Sequence, residues 1–258
     1  MKKTTKISVA MALATCLASA SASADMVLGL FAGVQGWDMN ADGSFGTSNN
    51  NTAQAEFSFD SESQGSIYVA LEHPVPLVPN IKIKHNQMDT IGNTQLNSTF
   101  SFAGTTYSVN SSLDTNIDLT NTDFIMYYEI LDNDLVTLDV GLNVKKIDGR
   151  LDVVDINDAS LTAREEFDGV VPMLYGAIKV GLPFTGLGVF ADGSLLSVGD
   201  HTLYDYEAGI GYTFVDNVAI DLTLQLGYRA VKLELEDLDD IDSNLEFDGV
   251  FVGLEAHF

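Results

Sequence analysis

Apolar and polar residues alternate along most of the chain after residue 25. The alternation is cleanest at residues 136–145, where Val136, Leu138 and Val140 alternate with Thr137 and Asp139. A period of two indicates a β-strand with one apolar and one polar face. Ten segments follow this pattern, namely residues 26–37, 66–72, 81–88, 118–130, 136–145, 170–180, 187–197, 203–214, 218–233 and 250–258.

These segments predict an all-β fold, a single antiparallel up-and-down transmembrane β-barrel of about ten strands. No run of 18 apolar residues occurs after residue 24, and a barrel is the structure that satisfies all backbone groups in a membrane without helices. Eight or twelve strands remain as alternatives. Residues 81–88 alternate poorly, with Lys82 and Lys84 on one face, and residues 92–116 fit either a long loop or a hairpin beyond the membrane.

The connections differ in length at the two ends of the predicted barrel. Long polar or acidic connections are expected at residues 38–64, 147–168 and 234–244, and short turns near residues 132–134 and 215–217. In an antiparallel pair, opposite residues share a face. Three-residue loops therefore predict Tyr212 opposite Ile220 and Tyr128 opposite Leu138. Short turns at one end and long loops at the other are typical of outer-membrane barrels.

Both ends of the sequence carry export signals. Lysines at positions 2, 3 and 6, a short apolar run and the small residues Ala22 and Ala24 predict a signal peptide over residues 1–24, with the barrel at residues 25–258. The last strand puts apolar residues at alternate positions and ends in an aromatic ring. This pattern predicts an assembly signal for the barrel-assembly machinery, formed by Val252, Leu254, Ala256 and Phe258.

The whole mature chain resembles the small outer-membrane β-barrels of Gram-negative bacteria. It is most similar to a gammaproteobacterial family with no assigned activity, through the start at residues 25–30, the hairpins at residues 68–76 and 175–183 with Tyr, Ala and Pro in step, and Phe258. The resemblance implies location in the outer membrane. It supplies no catalytic residues.

Charge and cysteine content narrow the function. Without residues 1–24, the chain keeps 9 basic residues against 37 acidic ones, a net charge of −28. Such a field repels nucleic acid. The single cysteine, Cys16, lies in the predicted signal peptide, so the mature chain is expected to have neither a disulfide nor a thiol nucleophile.

Charged residues of both signs fall on the faces that turn into the predicted lumen. Buried charges are costly unless they are paired or hydrated, so we expect a salt-bridge network that plugs the barrel. Glycines on the same faces leave space, and a narrow passive pore for small solutes is the alternative. The predicted network comprises Asp139, Lys145, Lys179, Asp192, Asp205, Glu207, Asp221 and Arg229, and the glycines are Gly29, Gly33, Gly141, Gly209, Gly211, Gly227 and Gly253.

No residue pattern indicates an enzyme, a cofactor or a metal site. The four histidines lack ligand spacing, and Asp200 and His201 are adjacent instead of separated by one residue as in omptin proteases. The acidic segments 152–158 and 234–242 lack the EF-hand order. We expect a non-enzymatic monomer with a structural, adhesive or envelope-maintaining role, whose acidic loops contact lipopolysaccharide through divalent cations. A further alternative is a soluble periplasmic β-sandwich that binds a ligand.

Overall fold

The computed structural model describes residues 28–47, 54–75, 77–133, 135–199, 201–238 and 241–258. Within them the chain forms fifteen strands, and no helix has the length and apolar character needed to cross a membrane. The strands are β1 (Gly29–Thr47), β2 (Ala55–Phe59), β3 (Glu62–Glu72), β4 (Asn80–Asn86), β5 (Asp89–Gln95), β6 (Phe100–Phe102), β7 (Thr105–Tyr107), β8 (Ser112–Asp118), β9 (Asn121–Asp132), β10 (Val136–Asp155), β11 (Thr162–Leu182), β12 (Leu187–Val198), β13 (His201–Asn217), β14 (Ile220–Leu238) and β15 (Ile241–His257).

Ten of these strands close into an antiparallel ring. Going round the ring, the order is β1, β3, β4, β9, β10, β11, β12, β13, β14 and β15, and β15 returns to β1. The closing pair runs without a break from Phe31 opposite His257 to Thr47 opposite Ile241. The predicted ten-stranded barrel is confirmed, and the two-sheet sandwich considered as an alternative is wrong. Each of the ten predicted segments corresponds to one strand of the ring.

A second set of strands extends one side of the barrel beyond the short strands β3, β4 and β9. Here β2, β5 and β8 complete the wall between β1 and β10. The β6–β7 hairpin lies between β5 and β8 in sequence and pairs only with itself. The segment 92–116 is therefore the hairpin that the sequence left as one of two choices.

In the half of the barrel next to the short turns, the apolar side chains point outward. We call this half the lower zone. Its exterior is a continuous apolar belt, while its interior is polar or charged. The outward residues with large exposed apolar side chains include Val34, Ile67, Val69, Ile83, Phe124, Met126, Leu138, Val140, Leu142, Leu174, Ile178, Val189, Ile210, Tyr212, Leu224, Leu226, Val250, Val252 and Leu254.

In the other half, the upper zone, the arrangement is inverted. On β1, Val34 points outward, whereas Trp37, Met39 and Phe45 further along the strand are buried inside. The upper interior is one apolar cluster drawn from many strands, and β10 contributes Val153 to it. The geometric alternation of sides continues along each strand, but the apolar residues change from the outer to the inner positions.

Three predicted connections are wrong. The described part of residues 38–64 is mostly strand, because β1 continues to Thr47 and β2 spans Ala55–Phe59. Residues 147–168 and 234–244 are also mostly strand, because β10 continues to Asp155, β11 begins at Thr162 and β14 continues to Leu238. Asp148, Glu166 and Asp168 in the first acidic segment are exposed, whereas Asp155 is buried. Much of this predicted acidic connection is therefore the exterior of two long strands.

The two short turns have a different register from the predicted one. Tyr212 lies opposite Leu224 and Tyr128 lies opposite Val140. In both hairpins an asparagine at the turn accepts two backbone hydrogen bonds. The residue three positions before this asparagine is a β-bulge, which has no partner on the opposite strand. Asn217 follows the bulged Phe214 in the same way as Asn133 follows the bulged Ile130. The extra residue restores the parity of the faces, so the face assignment is correct although the register is not.

Replacing Asn217 with alanine should lower the free energy of unfolding by about 1 kcal/mol. Its side-chain oxygen accepts hydrogen bonds from the backbone N–H groups of Ala219 and Ile220 at 3.0 and 3.3 Å, and such bonds each contribute about 0.5 to 1.5 kcal/mol. Urea titration of the folded protein in detergent micelles measures the change. Asn217→Asp keeps the acceptor and is the control. Equal losses in the two variants would contradict this account of the turn.

Candidate functional site

The centre of the lower lumen holds a network of buried ion pairs. Asp205 on β13 accepts hydrogen bonds from Nε and Nη2 of Arg229 on β14, at 2.9 and 2.7 Å. Lys145 on β10 reaches the same carboxylate at 3.0 Å and Asp123 at 2.8 Å. The Arg229 and Lys145 side chains are each only 2% exposed. Four strands are thus joined across the lumen, and each of these charges has an opposite partner.

A second ion pair adjoins this group. Lys84 on β4 contacts Glu207 on β13 at 2.7 Å, and the amide of Gln35 on β1 donates to the same carboxylate at 3.0 Å. The guanidinium of Arg229 lies 4.8 Å from the centre of the Trp37 ring, at the boundary with the upper apolar cluster. The polar network and the apolar cluster therefore meet directly.

The structure brings together some residues of the predicted network and separates others. Lys145, Asp205, Glu207 and Arg229 lie in it, and Asp192 contacts Lys82 nearby at 3.5 Å. The remaining three are nearer the short-turn end. Lys179 lies 3.8 Å from Glu255 and Asp221 lies 3.5 Å from His257.

Asp139 is not part of any ion pair found among the described residues. It is 7% exposed, and its Oδ1 atom has no hydrogen-bond partner. Its inclusion in the charge network stays a prediction. Sequence parity places it correctly in the lumen, but the opposite residue on β9 is another carboxylate, Glu129.

Sequence reasoning missed several partners. The largest omissions are Lys82, Lys84 and Asp123. The two lysines are on β4, which alternates least cleanly, and Asp123 is on β9, for which only the apolar face was considered. β4 looked like a poor strand because its inward positions are lysines. The signal was available: four residues, Lys82 to His85, alternate lysine with an apolar or imidazole side chain, as a strand does when its inner face supplies cations.

Two of the predicted lumen glycines make room for aromatic side chains. A Cβ atom on Gly33 would lie 2.1 Å from the ring of Tyr68, and one on Gly227 would lie 2.7 Å from the ring of Phe251. Tyr68 on β3 and Glu255 on β15 both lie opposite Gly33, and the Tyr68 hydroxyl passes over this glycine to donate to Glu255 at 2.5 Å. Glycine at position 33 thus makes room for a large side chain that joins the two strands beside β1.

The cavities in the lumen become smaller with distance from the short-turn end. Two cavities at the short-turn end, both lined by Phe31, Lys179 and His257, have volumes of about 490 and 410 Å³. Further in, the cavities beside Asp192 and Glu207 shrink to about 50 and 20 Å³. The lumen is therefore a vestibule that narrows into the ion-pair network.

Aromatic rings fill the upper interior. Phe45 stacks on Phe57 at 4.8 Å and meets Phe102 edge-on at 5.2 Å. Phe100 and Tyr107 of the β6–β7 hairpin are almost fully buried in the same cluster. The Tyr107 hydroxyl donates to the backbone oxygen of Val153 at 3.0 Å, and burial raises the pKa of Tyr107 to about 12. The hairpin thus closes the barrel above the ion pairs.

The chain is similar to solved outer-membrane barrels at very low sequence identity. The transport unit of the autotransporter AIDA-I from Escherichia coli is 8% identical, with 98% of this chain and 97% of that chain covered and a TM-score of 0.43. The outer-membrane protease OmpT from Escherichia coli is 10% identical, with coverage of 92% and 99% and a TM-score of 0.46. A Pseudomonas aeruginosa FadL homologue is 12% identical, with coverage of 91% and 90% and a TM-score of 0.35. Similarity at this level does not bear on activity.

No protein-family model matches the sequence, and no curated protein matches it significantly. The similarity to one gammaproteobacterial family therefore stays a prediction. The predicted signal peptide, with Ala22 and Ala24, lies outside the described residues. In the predicted assembly signal, Val252, Leu254 and Phe258 are exposed on the outer face, while Ala256 lies between Ala32 and Leu222 of the neighbouring strands.

The residues considered for metal or catalytic chemistry are dispersed. Among the described residues, no group of three or more His, Cys, Asp or Glu side chains is arranged to hold a metal ion. In the acidic segment 152–158, Asp152 is paired with Arg150 and Arg164. Hydrogen bonds from the Ser111 hydroxyl and the Asn157 backbone keep the pKa of Asp155 below its usual value. Asp205, four residues after His201, forms ion pairs with Arg229 and Lys145.

Proposed function

We propose that the protein is an integral outer-membrane barrel with a closed lumen and no enzymatic activity. The apolar belt supports the membrane location. On β15 it runs from Val250 to Phe258, nine residues, and a membrane-spanning strand needs about 9 to 11. The short turns lie at the periplasmic end and the long strands of the upper zone extend outward from the cell.

The observation that favours a structural role over a pore is that side chains fill the lumen at two heights along the barrel. The ion pairs of Arg229, Lys145 and Lys84 fill the middle of the lumen, and the aromatic cluster around Phe45 and Phe100 fills the outer part. A solute would have to displace both. A ten-stranded barrel has little interior space beyond what side chains fill. Here the side chains of the described residues fill the lumen above the vestibule.

The exterior of the upper zone suits a structural or adhesive role at the cell surface. Its basic residues already have acidic partners: Lys146 contacts Asp148 at 2.7 Å, and Lys232 contacts Glu246 at 3.0 Å. These cations are therefore not free to take the phosphates of lipopolysaccharide. We propose that the remaining carboxylates contact those phosphates through divalent cations. We propose that the protein is a monomer and that the assembly machinery is its one macromolecular partner.

The intact protein, reconstituted in planar bilayers, should show no stepwise ion current. The physical reason is the pair of closures described above, each of which excludes hydrated ions. Conductance recording measures this directly, with a porin of known conductance inserted into the same bilayer as the positive control.

Insertion of the protein itself is checked by the heat-dependent gel shift of protein recovered from the bilayer lipids. Steady current steps from protein that shows the shift would overturn the closed lumen. Protein that fractionates with the soluble periplasm, and not with outer membranes, would overturn the membrane assignment.

A further inference from the structure

The vestibule at the short-turn end is strongly acidic. The cavity of about 490 Å³ is lined by Glu72, Glu129, Asp132 and Asp139, together with one lysine, Lys179. His73 and His257 also line it. Its apolar wall comes from Phe31, Pro74 and Gly29. The cavity therefore combines an excess of carboxylates with a patch of apolar surface.

Two of these carboxylates face each other without a cation between them. Asp139 on β10 and Glu129 on β9 are direct cross-strand partners, and like charges in that position are destabilising. Asp139 is more than nine-tenths buried, and its Oδ1 atom has no hydrogen-bond partner. It lines both the vestibule and the narrow cavity above it, so it marks the floor of the vestibule.

The other polar groups nearby leave this carboxylate unmatched. Glu72 accepts a hydrogen bond from the Tyr127 hydroxyl at 2.8 Å, and Glu129 accepts one from the Asn80 amide at 3.2 Å. Lys179 is half exposed and lies 3.8 Å from Glu255 on the other side of the lumen. Lys82 lines the narrow cavity together with Asp139 but is paired with Asp192. No ion pair found among the described residues therefore joins a cation to Asp139 or Glu129.

We propose that the vestibule binds a primary alkylamine from the periplasmic side, with its ammonium group between Asp139 and Glu129 and near Glu72. An ammonium carries three N–H donors and no acceptor, which suits a cavity lined by an excess of carboxylates. The alkyl chain lies against Phe31 and Pro74. A metal ion fits less well, because the described carboxylates do not form a coordinating group. This inference goes beyond the proposed closed barrel and does not depend on whether the lumen conducts.

Titration calorimetry of the folded protein in detergent at low ionic strength, with n-butylamine as the probe, tests the proposal. Saturable binding with one site and a dissociation constant of the order of 1 mM or tighter is expected, since a ligand of this size can reach that range. Tetramethylammonium has the same charge but no N–H donor, and should bind at least tenfold more weakly. Absence of saturable binding, equal binding of tetramethylammonium, or tighter binding of Mg²⁺ would each overturn the proposal.

Asp139→Asn should weaken n-butylamine binding at least tenfold. Asp216→Asn is the matched control, because Asp216 lines the neighbouring 410 Å³ cavity and not the acidic one, and it should leave binding unchanged. Without amine, Asp139→Asn should melt at a higher temperature than the parent because the repulsion from Glu129 is gone. Where this variant fails to give the heat-dependent gel shift, Glu129→Gln replaces it. Unchanged affinity in a folded variant of either kind contradicts the site.

Discussion

Asp205→Ala is expected to lower the free energy of unfolding by about 3 to 5 kcal/mol, the usual cost of removing one partner from a buried ion pair. Asp205 is the carboxylate shared by Arg229 at 2.7 Å and Lys145 at 3.0 Å. Without it, Lys145 keeps Asp123, but Arg229 loses both of its charge-assisted hydrogen bonds. A guanidinium is then left in the lumen with no carboxylate in contact.

Guanidinium chloride unfolding in micelles, followed by tryptophan fluorescence, measures this loss. Trp37 is the single tryptophan of the chain and lies against Arg229, so it reports on the same region. Asp216→Ala removes an exposed carboxylate at a turn and should change stability by less than about 0.5 kcal/mol. A loss below about 1 kcal/mol for Asp205→Ala would show that the lumen pairs contribute little.

Leu224→Lys is expected to lower the free energy of unfolding by about 2 to 4 kcal/mol in lipid vesicles, the cost of a lysine on the lipid face near the middle of the bilayer. Leu224 is at the centre of the outward apolar residues of β14, between Leu222 and Leu226, and about half of its side chain is exposed. Neither adjacent strand offers it a carboxylate, because its cross-strand partners are Tyr212 and Leu254.

The neighbouring position provides the control. Gln225 points into the lumen and lines the same cavities as Glu255, so Gln225→Lys places its ammonium near an acidic partner and should be tolerated. Urea titration of both variants in vesicles gives the comparison. Equal losses in the two variants would remove the assignment of the faces and, with it, the membrane location.

The sequence alone predicted about ten strands, with eight or twelve left open, and the direction of the apolar face in the lower zone. Both depend on a period of two, which is a local property that each strand carries by itself. The register prediction failed because the two turns lie further along the chain than predicted. The one-residue bulges at Ile130 and Phe214 restored the parity, so the faces stayed correct. Lys145, Asp205, Glu207 and Arg229 could be placed in the lumen for the same reason.

The sequence also shows the change of the apolar residues from one face to the other between the lower and upper zones. It does not show what the apolar face of the upper zone contacts. Residues such as Trp37, Met39 and Phe45 alternate as regularly as the lipid-facing ones. A period of two does not say whether the apolar face meets lipid or another protein surface, so the upper strands were predicted as acidic connections. Only the β6–β7 hairpin and the closed wall show that these residues face inward.

Which charges meet across the lumen was decided by the tertiary structure. Lys145 and Asp205 are 60 residues apart, and Lys84 and Glu207 are 123 apart. Their contact depends on the stagger of strands around the ring, which no local pattern encodes. The turn of the β9–β10 hairpin and the bulge at Ile130 place Asp139 opposite Glu129 instead of a lysine. Sequence fixes on which side of the wall a charge lies because alternation is local, and the closed ring alone fixes its partner because that depends on every strand between them.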